Sequence, residues 1–322
     1  MSPILLNIGI LIAGFALLIK GSDIFVDGSV GIAEKLRVPK VIIGLTIVAM
    51  GTSAPELVIS VTASMRGSNA LAVGNIVGSN IFNLMFIIGL CAIIAPIAVK
   101  VKEIHMDFWL SIIAAALLLG LKVFGGEYIP RWGSMMLVLI FIVYMAFLVR
   151  KAVKNHEDSP EDSSKKVRSM PFYILIAIFG LSLVIGGGHL TVESATFLAE
   201  AMNISPRIIG LTVVAIGTSL PELVISLVAC KKGENEFALG NIIGSNIFNI
   251  LFVLGVAGVV APLQIDSALT VDTAFLIIGS LFAILFVYTR KKITRREGVI
   301  MAGLYVAYML AAIFNLMPNF FE

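Results

Sequence analysis

The chain has 322 residues, of which 59% are hydrophobic and only 13% are charged. Soluble domains carry about 25% charged residues, so this chain cannot surround a single core with a water-facing surface, and we predict a polytopic membrane protein. The net charge of +3 is too small to indicate a nucleic-acid partner. Two cysteines, Cys91 and Cys230, match no metal or disulfide spacing and are expected to be small core residues.

Apolar runs long enough to cross a bilayer as helices recur along the chain, since about 20 helical residues span the hydrocarbon core. The first run lacks the basic start and cleavage site of a signal peptide, so we predict that it is a permanent span. The expected fold is all-α, with ten transmembrane helices near residues 4–20, 38–65, 70–95, 106–124, 132–150, 171–188, 204–230, 236–263, 270–288 and 298–316.

One long polar stretch, residues 150–169, separates the fifth and sixth predicted helices. It divides the chain into a five-helix unit at 1–150, a linker at 151–170 and a second five-helix unit at 171–322. The acidic run of this linker shows no ordered loop-ligand spacing, so a solvated linker is favoured over a regulatory cation site. The run comprises Glu157, Asp158, Glu161 and Asp162.

Basic residues are distributed unevenly between the two membrane faces. Connections after odd-numbered helices, counted with the adjoining helix ends, hold 19 lysines and arginines, whereas the opposite face holds 4. Cytoplasmic loops retain basic residues. We therefore predict a multi-pass protein of the cell membrane with a cytoplasmic linker and both termini outside.

The two halves contain a repeated motif. Residues 44–90 and 210–256 align without a gap, and 29 of the 47 positions are identical. Because each half has an odd number of predicted helices, the second copy must enter the membrane from the opposite side. Such inverted repeats are typical of secondary transporters, whose broken helices place the substrate site near the midplane.

The first part of the motif reads "GTSAPELVIS" at 51–60 and "GTSLPELVIS" at 217–226. Pro55 and Pro221 lack a backbone N–H and clash with the carbonyl four residues earlier, so both helices must kink or open there. Carbonyls freed in this way need a partner inside the membrane. The neighbouring side chains all carry oxygen: Thr52, Ser53, Glu56, Thr218, Ser219 and Glu222.

The second part reads "GNIVGSNIFN" at 74–83 and "GNIIGSNIFN" at 240–249. Ser79 and Asn83 are four residues apart and share one helical face, as do Ser245 and Asn249. The glycines at 74, 78, 240 and 244 allow close helix approach, and for them a small-residue contact between helices explains the pattern as well as a binding site does.

Glu56 and Glu222 are acidic residues deep within predicted spans, with no nearby lysine or arginine. An intramembrane carboxylate costs about 2.5–3.5 kcal/mol and is usually functional. Two protonated glutamates bonded to each other or to serines are the alternative, but an ion is the better partner. Carboxylate, hydroxyl, amide and carbonyl oxygens form a hard site that suits Ca²⁺ better than Mg²⁺. Two carboxylates are neutralised by one Ca²⁺ or at least two Na⁺.

With both motifs in this order, the chain resembles the sodium/calcium exchangers of the calcium/cation antiporter superfamily. The resemblance implies Na⁺/Ca²⁺ antiport by alternating access and no enzymatic activity. It also implies no cofactor, Ca²⁺ and Na⁺ as transported substrates, the lipid bilayer as surroundings and no obligate protein partner. The implied ligands are the carbonyls of Ala49 and Ala215 and the side chains of Thr52, Ser53, Glu56, Ser79, Asn83, Thr218, Ser219, Glu222, Ser245 and Asn249.

The resemblance further implies that the first and sixth helices, 4–20 and 171–188, form a mobile pair that slides over a static core. Their glycines, at positions 9, 14, 21, 180 and 186–188, suit such a surface.

The sequence departs from many relatives at one position. Asn249 stands where the potassium-dependent exchangers carry aspartate, which argues against potassium cotransport. A calcium/proton antiporter stays open as an alternative, because ligand type alone does not define the coupling ion. A passive cation channel is a weaker alternative. An intramembrane hydrolase is disfavoured because no nucleophile–base arrangement is present.

Overall fold

The protein is described by a computed structural model that covers residues 3–126, 128–157, 168–202, 215–264 and 267–313. Helices occupy most of these residues. In chain order they are α1 (Pro3–Leu36), α2 (Lys40–Thr52), α3 (Ala54–Met65), α4 (Asn69–Ile81, continued by Phe82–Ile87 and Ile88–Ile94), α5 (Val101–Gly125), α6 (Arg131–Glu157), α7 (Met170–Ala201), α8 (Ala215–Thr218), α9 (Leu220–Lys231), α10 (Asn235–Ile247, continued by Phe248–Leu254 and Gly255–Val260), α11 (Ser267–Arg290) and α12 (Arg295–Ile313).

The described helices confirm a multi-span, all-helical architecture. Seven of them, α1, α4, α5, α6, α7, α10 and α11, are long and apolar enough to cross a membrane. The bent pair of α2 and α3 supplies an eighth candidate span. The predicted span at 204–230 is described only from α8 onward, and α12 covers the described part of the span at 298–316.

Burial separates a central pair of helices from a peripheral pair. The apolar windows of α4 and α10 are 78% and 83% buried within the protein, whereas those of α1 and α7 are only 17% and 22% buried. The centre of the molecule is therefore formed by the two helices that carry the "GSN" motifs. Cys91 and Cys230 are buried there as free thiols, in agreement with the expected core role.

Helices α1 and α7 form the most extensive helix pair and are longer than the predicted spans 4–20 and 171–188. The predicted spans end where apolar residues give way to charges such as Lys20 and Asp23, but the helices continue beyond these residues. Their glycines meet closely: a Cβ at Gly21 would lie 2.8 Å from the Gly180 carbonyl oxygen, and one at Gly187 would lie 2.8 Å from that of Gly14. By contrast, positions 9 and 186 have nothing within 4 Å and are not part of this contact.

Two short antiparallel ladders, which the sequence analysis did not predict, join the two halves. Strand β1 (Ile97–Ala98) pairs with β4 (Lys292–Ile293), and β2 (Tyr128–Ile129) pairs with β3 (Leu263–Gln264). Each ladder therefore takes one strand from each half of the chain. Two-residue strands give too short a pattern to be recognised in sequence.

Candidate ion-binding site

Both repeated "GTS-PE" segments break a helix, as predicted from their prolines. Helix α2 ends at Thr52 and α3 begins at Ala54, with a bend of 47° between them. The intervening Ser53 has φ −86° and ψ 12°, and Ser219, between α8 and α9, has φ −91° and ψ 10°. These near-identical backbone angles show that the same local sequence produces the same break in both halves.

The two glutamates lie in the first turn after each break. Glu56 in α3 and Glu222 in α9 are both fully buried, and a helix N-terminus is a favourable place for negative charge. The Ser219 hydroxyl donates to Glu56 Oε1 at 3.1 Å, and the Ser53 hydroxyl donates to Glu222 Oε1 at 2.7 Å. Each carboxylate is thus held by the serine of the opposite half. Within the described residues, neither forms an ion pair with a lysine, arginine or histidine.

The two "GSNIFN" segments bring their last asparagines into π-helical turns. Asn83 lies in the turn Phe82–Ile87 of α4, and Asn249 lies in the turn Phe248–Leu254 of α10. Such wide turns often occur at functional sites. The spacing of Ser79 and Asn83 predicts one face of an ordinary α-helix, and it does not predict the π-helical turns.

A layer of asparagines that the sequence analysis missed connects α4 with α10. The Asn80 amide donates to the Asn246 carbonyl oxygen at 3.0 Å, and the Asn246 amide donates to the Asn80 carbonyl oxygen at 3.2 Å. Two more bonds cross between the helices, from Asn83 Nδ2 to Asn246 Oδ1 at 3.2 Å and from Asn249 Nδ2 to Asn80 Oδ1 at 3.1 Å. The sequence feature that could have predicted this layer is the identical spacing of these asparagines in the two motifs.

Several buried oxygen atoms of the site have no hydrogen-bond partner. Buried polar atoms are normally paired, and an unpaired one costs about 1–3 kcal/mol. Here the unpaired atoms belong to predicted ligands, and all can accept: Glu56 Oε2, Glu222 Oε2, Ser79 Oγ, Asn83 Oδ1 and Asn249 Oδ1. An arrangement of unsatisfied acceptors with two carboxylates can bind a cation.

The remaining predicted ligands are partly engaged. The Thr52 hydroxyl lies 3.2 Å from Asn241 Oδ1 and 3.4 Å from the Ser245 hydroxyl, which is itself 3.5 Å from Glu222 Oε1. The Ala49 carbonyl oxygen already accepts from the Ser53 N–H at 3.1 Å and from the Thr52 hydroxyl at 3.2 Å. Since a carbonyl oxygen has two lone pairs, it would have to release one of these donors to bind an ion.

The backbone hydrogen bonds at the second break differ from those at the first. The N–H of Ser219 donates to the Ile216 carbonyl oxygen, three residues earlier, at 3.1 Å, whereas the N–H of Ser53 donates to the Ala49 carbonyl oxygen, four residues earlier. The side chain of Ala215 lies outside the described part of the chain.

A cavity of about 370 Å³ borders the second break. It is bounded by α3, by the middle of α7 and by the junction of α8 and α9, where Thr218 and Pro221 line it. His189 of α7 also lines the cavity, and its side chain is 70% exposed. The cavity is therefore in contact with one predicted ligand, Thr218.

The chain is similar to several known proteins. Sodium/calcium exchanger MaX1 from Methanosarcina acetivorans is 32% identical over 344 residues, which cover 95% of this chain and 98% of that protein. Inner membrane protein YrbG from Escherichia coli is 33% identical, covering 99% of this chain and 100% of that protein. The structure of the sodium-calcium exchanger NCX_Mj soaked with 10 mM Na⁺ and zero Ca²⁺ superimposes with a TM-score of 0.84 at 35% identity, covering 96% of this chain and 99% of that one.

The family model for sodium/calcium exchanger protein matches residues 6–150 and 172–314, which include both motifs and nearly every described helix. The chain therefore belongs to the sodium/calcium exchanger family, and it is a multi-span membrane protein of the calcium/cation antiporter superfamily.

Proposed function

We propose that the chain exchanges Na⁺ for Ca²⁺ across the cell membrane by alternating access. The observation that carries this proposal is the set of unpaired, buried oxygen acceptors around Glu56 and Glu222. A proton alone would satisfy one carboxylate oxygen, but it would leave the amide and hydroxyl acceptors unpaired. A cation coordinated by several oxygens satisfies them together, and Ca²⁺ takes six to eight such ligands.

The proposed ligand set is the one implied by the resemblance. It comprises the carbonyls of Ala49 and Ala215 together with the side chains of Thr52, Ser53, Glu56, Ser79, Asn83, Thr218, Ser219, Glu222, Ser245 and Asn249. Two carboxylates match one Ca²⁺ or at least two Na⁺ in charge. Exchange of more than two Na⁺ for each Ca²⁺ then moves net charge, so transport responds to membrane potential, at about 2.3 kcal/mol per charge through 100 mV.

We propose that the halves 1–150 and 171–322 are inverted five-helix repeats that supply ten spans, joined by a cytoplasmic linker. The reciprocal hydrogen bonds support this relation. Ser53 to Glu222 mirrors Ser219 to Glu56, and the Asn80 and Asn246 bonds mirror one another at a separation of 166 residues. Exchanged bonds of this kind are expected where two copies meet across a two-fold axis.

Independence from potassium is part of the proposal. Asn249 supplies a neutral amide oxygen where potassium-dependent relatives have a carboxylate, so the site lacks the extra negative charge that an additional monovalent ion would need. The similarity to proteins named sodium/calcium exchangers favours sodium as the coupling ion over the proton.

Flux into proteoliposomes tests this function. An outward-directed Na⁺ gradient should drive ⁴⁵Ca²⁺ uptake without K⁺ and with little effect of collapsing a pH gradient. If more than two Na⁺ leave for each Ca²⁺ that enters, each cycle moves net positive charge outward, so an inside-positive potential should increase uptake. Uptake that ignores Na⁺ and follows a proton gradient would assign the chain to the calcium/proton antiporters. Uptake with neither ion on the opposite side would indicate a channel.

The proposed orientation has its own test. Single cysteines at Ser159 in the linker and at Ser267 at the start of α11, in a background with Cys91→Ala and Cys230→Ala, should react with impermeant reagents from opposite sides of the membrane. Labelling of both from outside in intact cells would contradict the ten-span arrangement.

A further inference from the structure

We infer that Asn80 and Asn246 are positioning residues that turn the side-chain oxygens of Asn83 and Asn249 toward the transported ion. The inference rests on the proposed function, because it assigns a role in building the same site. Neither residue belongs to the ligand set given above. Both are buried at the contact between α4 and α10.

The orientation of each amide follows from the backbone of the opposite helix. A carbonyl oxygen can only accept, so the side-chain atom of Asn80 that lies 3.0 Å from the Asn246 carbonyl oxygen must be the nitrogen. The same argument applies to Asn246, whose nitrogen lies 3.2 Å from the Asn80 carbonyl oxygen. The two possible amide orientations, which are otherwise hard to distinguish, are thereby reduced to one.

This choice determines the orientation of the next pair of amides. With its nitrogen engaged, Asn80 presents Oδ1 to Asn249 at 3.1 Å, and Asn246 presents Oδ1 to Asn83 at 3.2 Å. An amide oxygen cannot donate, so Asn249 and Asn83 must offer their nitrogens. The connections are crossed, since each positioning residue orients the ligand of the opposite half.

The consequence is that Oδ1 of Asn83 and Oδ1 of Asn249 remain buried without a hydrogen-bond partner. If the amide of Asn249 turned over, its N–H groups would replace this acceptor and repel a cation. Asn80 and Asn246 prevent this rotation, so they favour ion binding without contacting the ion.

A crossed set of double variants tests the inference through equilibrium ⁴⁵Ca²⁺ binding to the purified full chain. We expect Asn80→Ala to raise the half-saturating Ca²⁺ concentration by about tenfold, which is the upper end of the effect of losing one hydrogen bond between neutral amides. This effect should vanish in an Asn249→Ala background and persist in an Asn83→Ala background. The mirror variant, Asn246→Ala, should show the reverse dependence.

Thr273→Val is the matched control, because it removes a buried 2.7 Å bond to the Leu269 carbonyl oxygen in α11 and should leave Ca²⁺ binding unchanged. If Asn80→Ala does not fold, Asn80→Ser replaces it in the same cycle. Additive effects in both backgrounds would overturn the positioning role while leaving the ion site intact. Unchanged binding in Asn83→Ala and Asn249→Ala themselves would instead overturn the proposed ligand set, and the inference with it.

Discussion

The two helix breaks have nearly the same sequence and backbone angles but different surroundings. At the first break, Thr52 is fully buried and lies within hydrogen-bonding distance of Asn241 and Ser245 in α10. At the second, Thr218 is 7% exposed and borders the 370 Å³ cavity beside α7. The repeated motif therefore does not itself decide how closely each break is enclosed. The helices around each break decide it.

Ion pairs fasten α1 to the segment that follows α9. Lys232, just after α9, lies 2.8 Å from Asp23 and 2.6 Å from Asp27 of α1. Partial burial lowers the pKa of Lys232, but its hydrogen bonds to the two carboxylates outweigh this effect and raise the pKa, so the ammonium stays charged. In the same segment, Glu234 pairs with Lys40 at the start of α2 at 2.7 Å. Movement of α1 along the core would have to break the Lys232 pairs.

The largest effect on Ca²⁺ uptake is expected at Glu56 and Glu222, which occupy equivalent positions in the two halves. Glu56→Gln and Glu222→Gln should each reduce Na⁺-driven Ca²⁺ uptake by roughly 100-fold or more, because a charge that neutralises the ion is lost with little change of shape. Glu193→Gln, on the exposed face of α7, is the matched control and should retain uptake. Near-normal uptake by either buried variant would show that only one carboxylate serves the site.

The difference between the breaks predicts different accessibility. In a background without Cys91 and Cys230, Thr218→Cys should react with an impermeant thiol reagent at least about tenfold faster than Thr52→Cys, which corresponds to ~1.4 kcal/mol of additional opening cost. In the proposed orientation the cavity faces outward, so we expect the fast reaction from outside. Equal rates at the two positions would contradict the asymmetry.

A smaller effect is expected from the ion pairs of α1. Lys232→Gln should lower the outside labelling of Thr218→Cys by roughly two- to fivefold, because partly exposed ion pairs contribute ~0.2–1 kcal/mol each and their loss favours the alternative position of α1. Lys100→Gln removes a 2.8 Å pair with Glu236 that does not involve α1, so it should leave labelling unchanged. Faster labelling in Lys232→Gln would contradict this expectation, because it would show that the Lys232 pairs stabilise the conformation in which Thr218 is less accessible.

The structure is most predictable from the sequence where a residue type dictates local geometry. Pro55 and Pro221 predicted the helix breaks because a missing N–H has the same effect in any context. The buried glutamates were recognised because an intramembrane charge needs compensation.

Features that depend on distant partners could not be predicted. The full length of α1 depends on its contact with α7. The bond that occupies the Ala49 carbonyl depends on the exact rotation of α2, and the crossed amide bonds of Asn80 and Asn246 depend on how α4 meets α10. The different surroundings of the two breaks could not be predicted either, because nearly identical motifs predict identical surroundings.

Competition between Ca²⁺ and Na⁺ at equilibrium tests the central claim most directly. Purified protein should bind ⁴⁵Ca²⁺ in a manner that Na⁺ displaces with a Hill coefficient above one, and binding should be lost in both Glu56→Gln and Glu222→Gln, because one divalent ion and several monovalent ions share the same two carboxylates. Retained binding in both variants, or binding that Na⁺ does not displace, would contradict a shared two-carboxylate site.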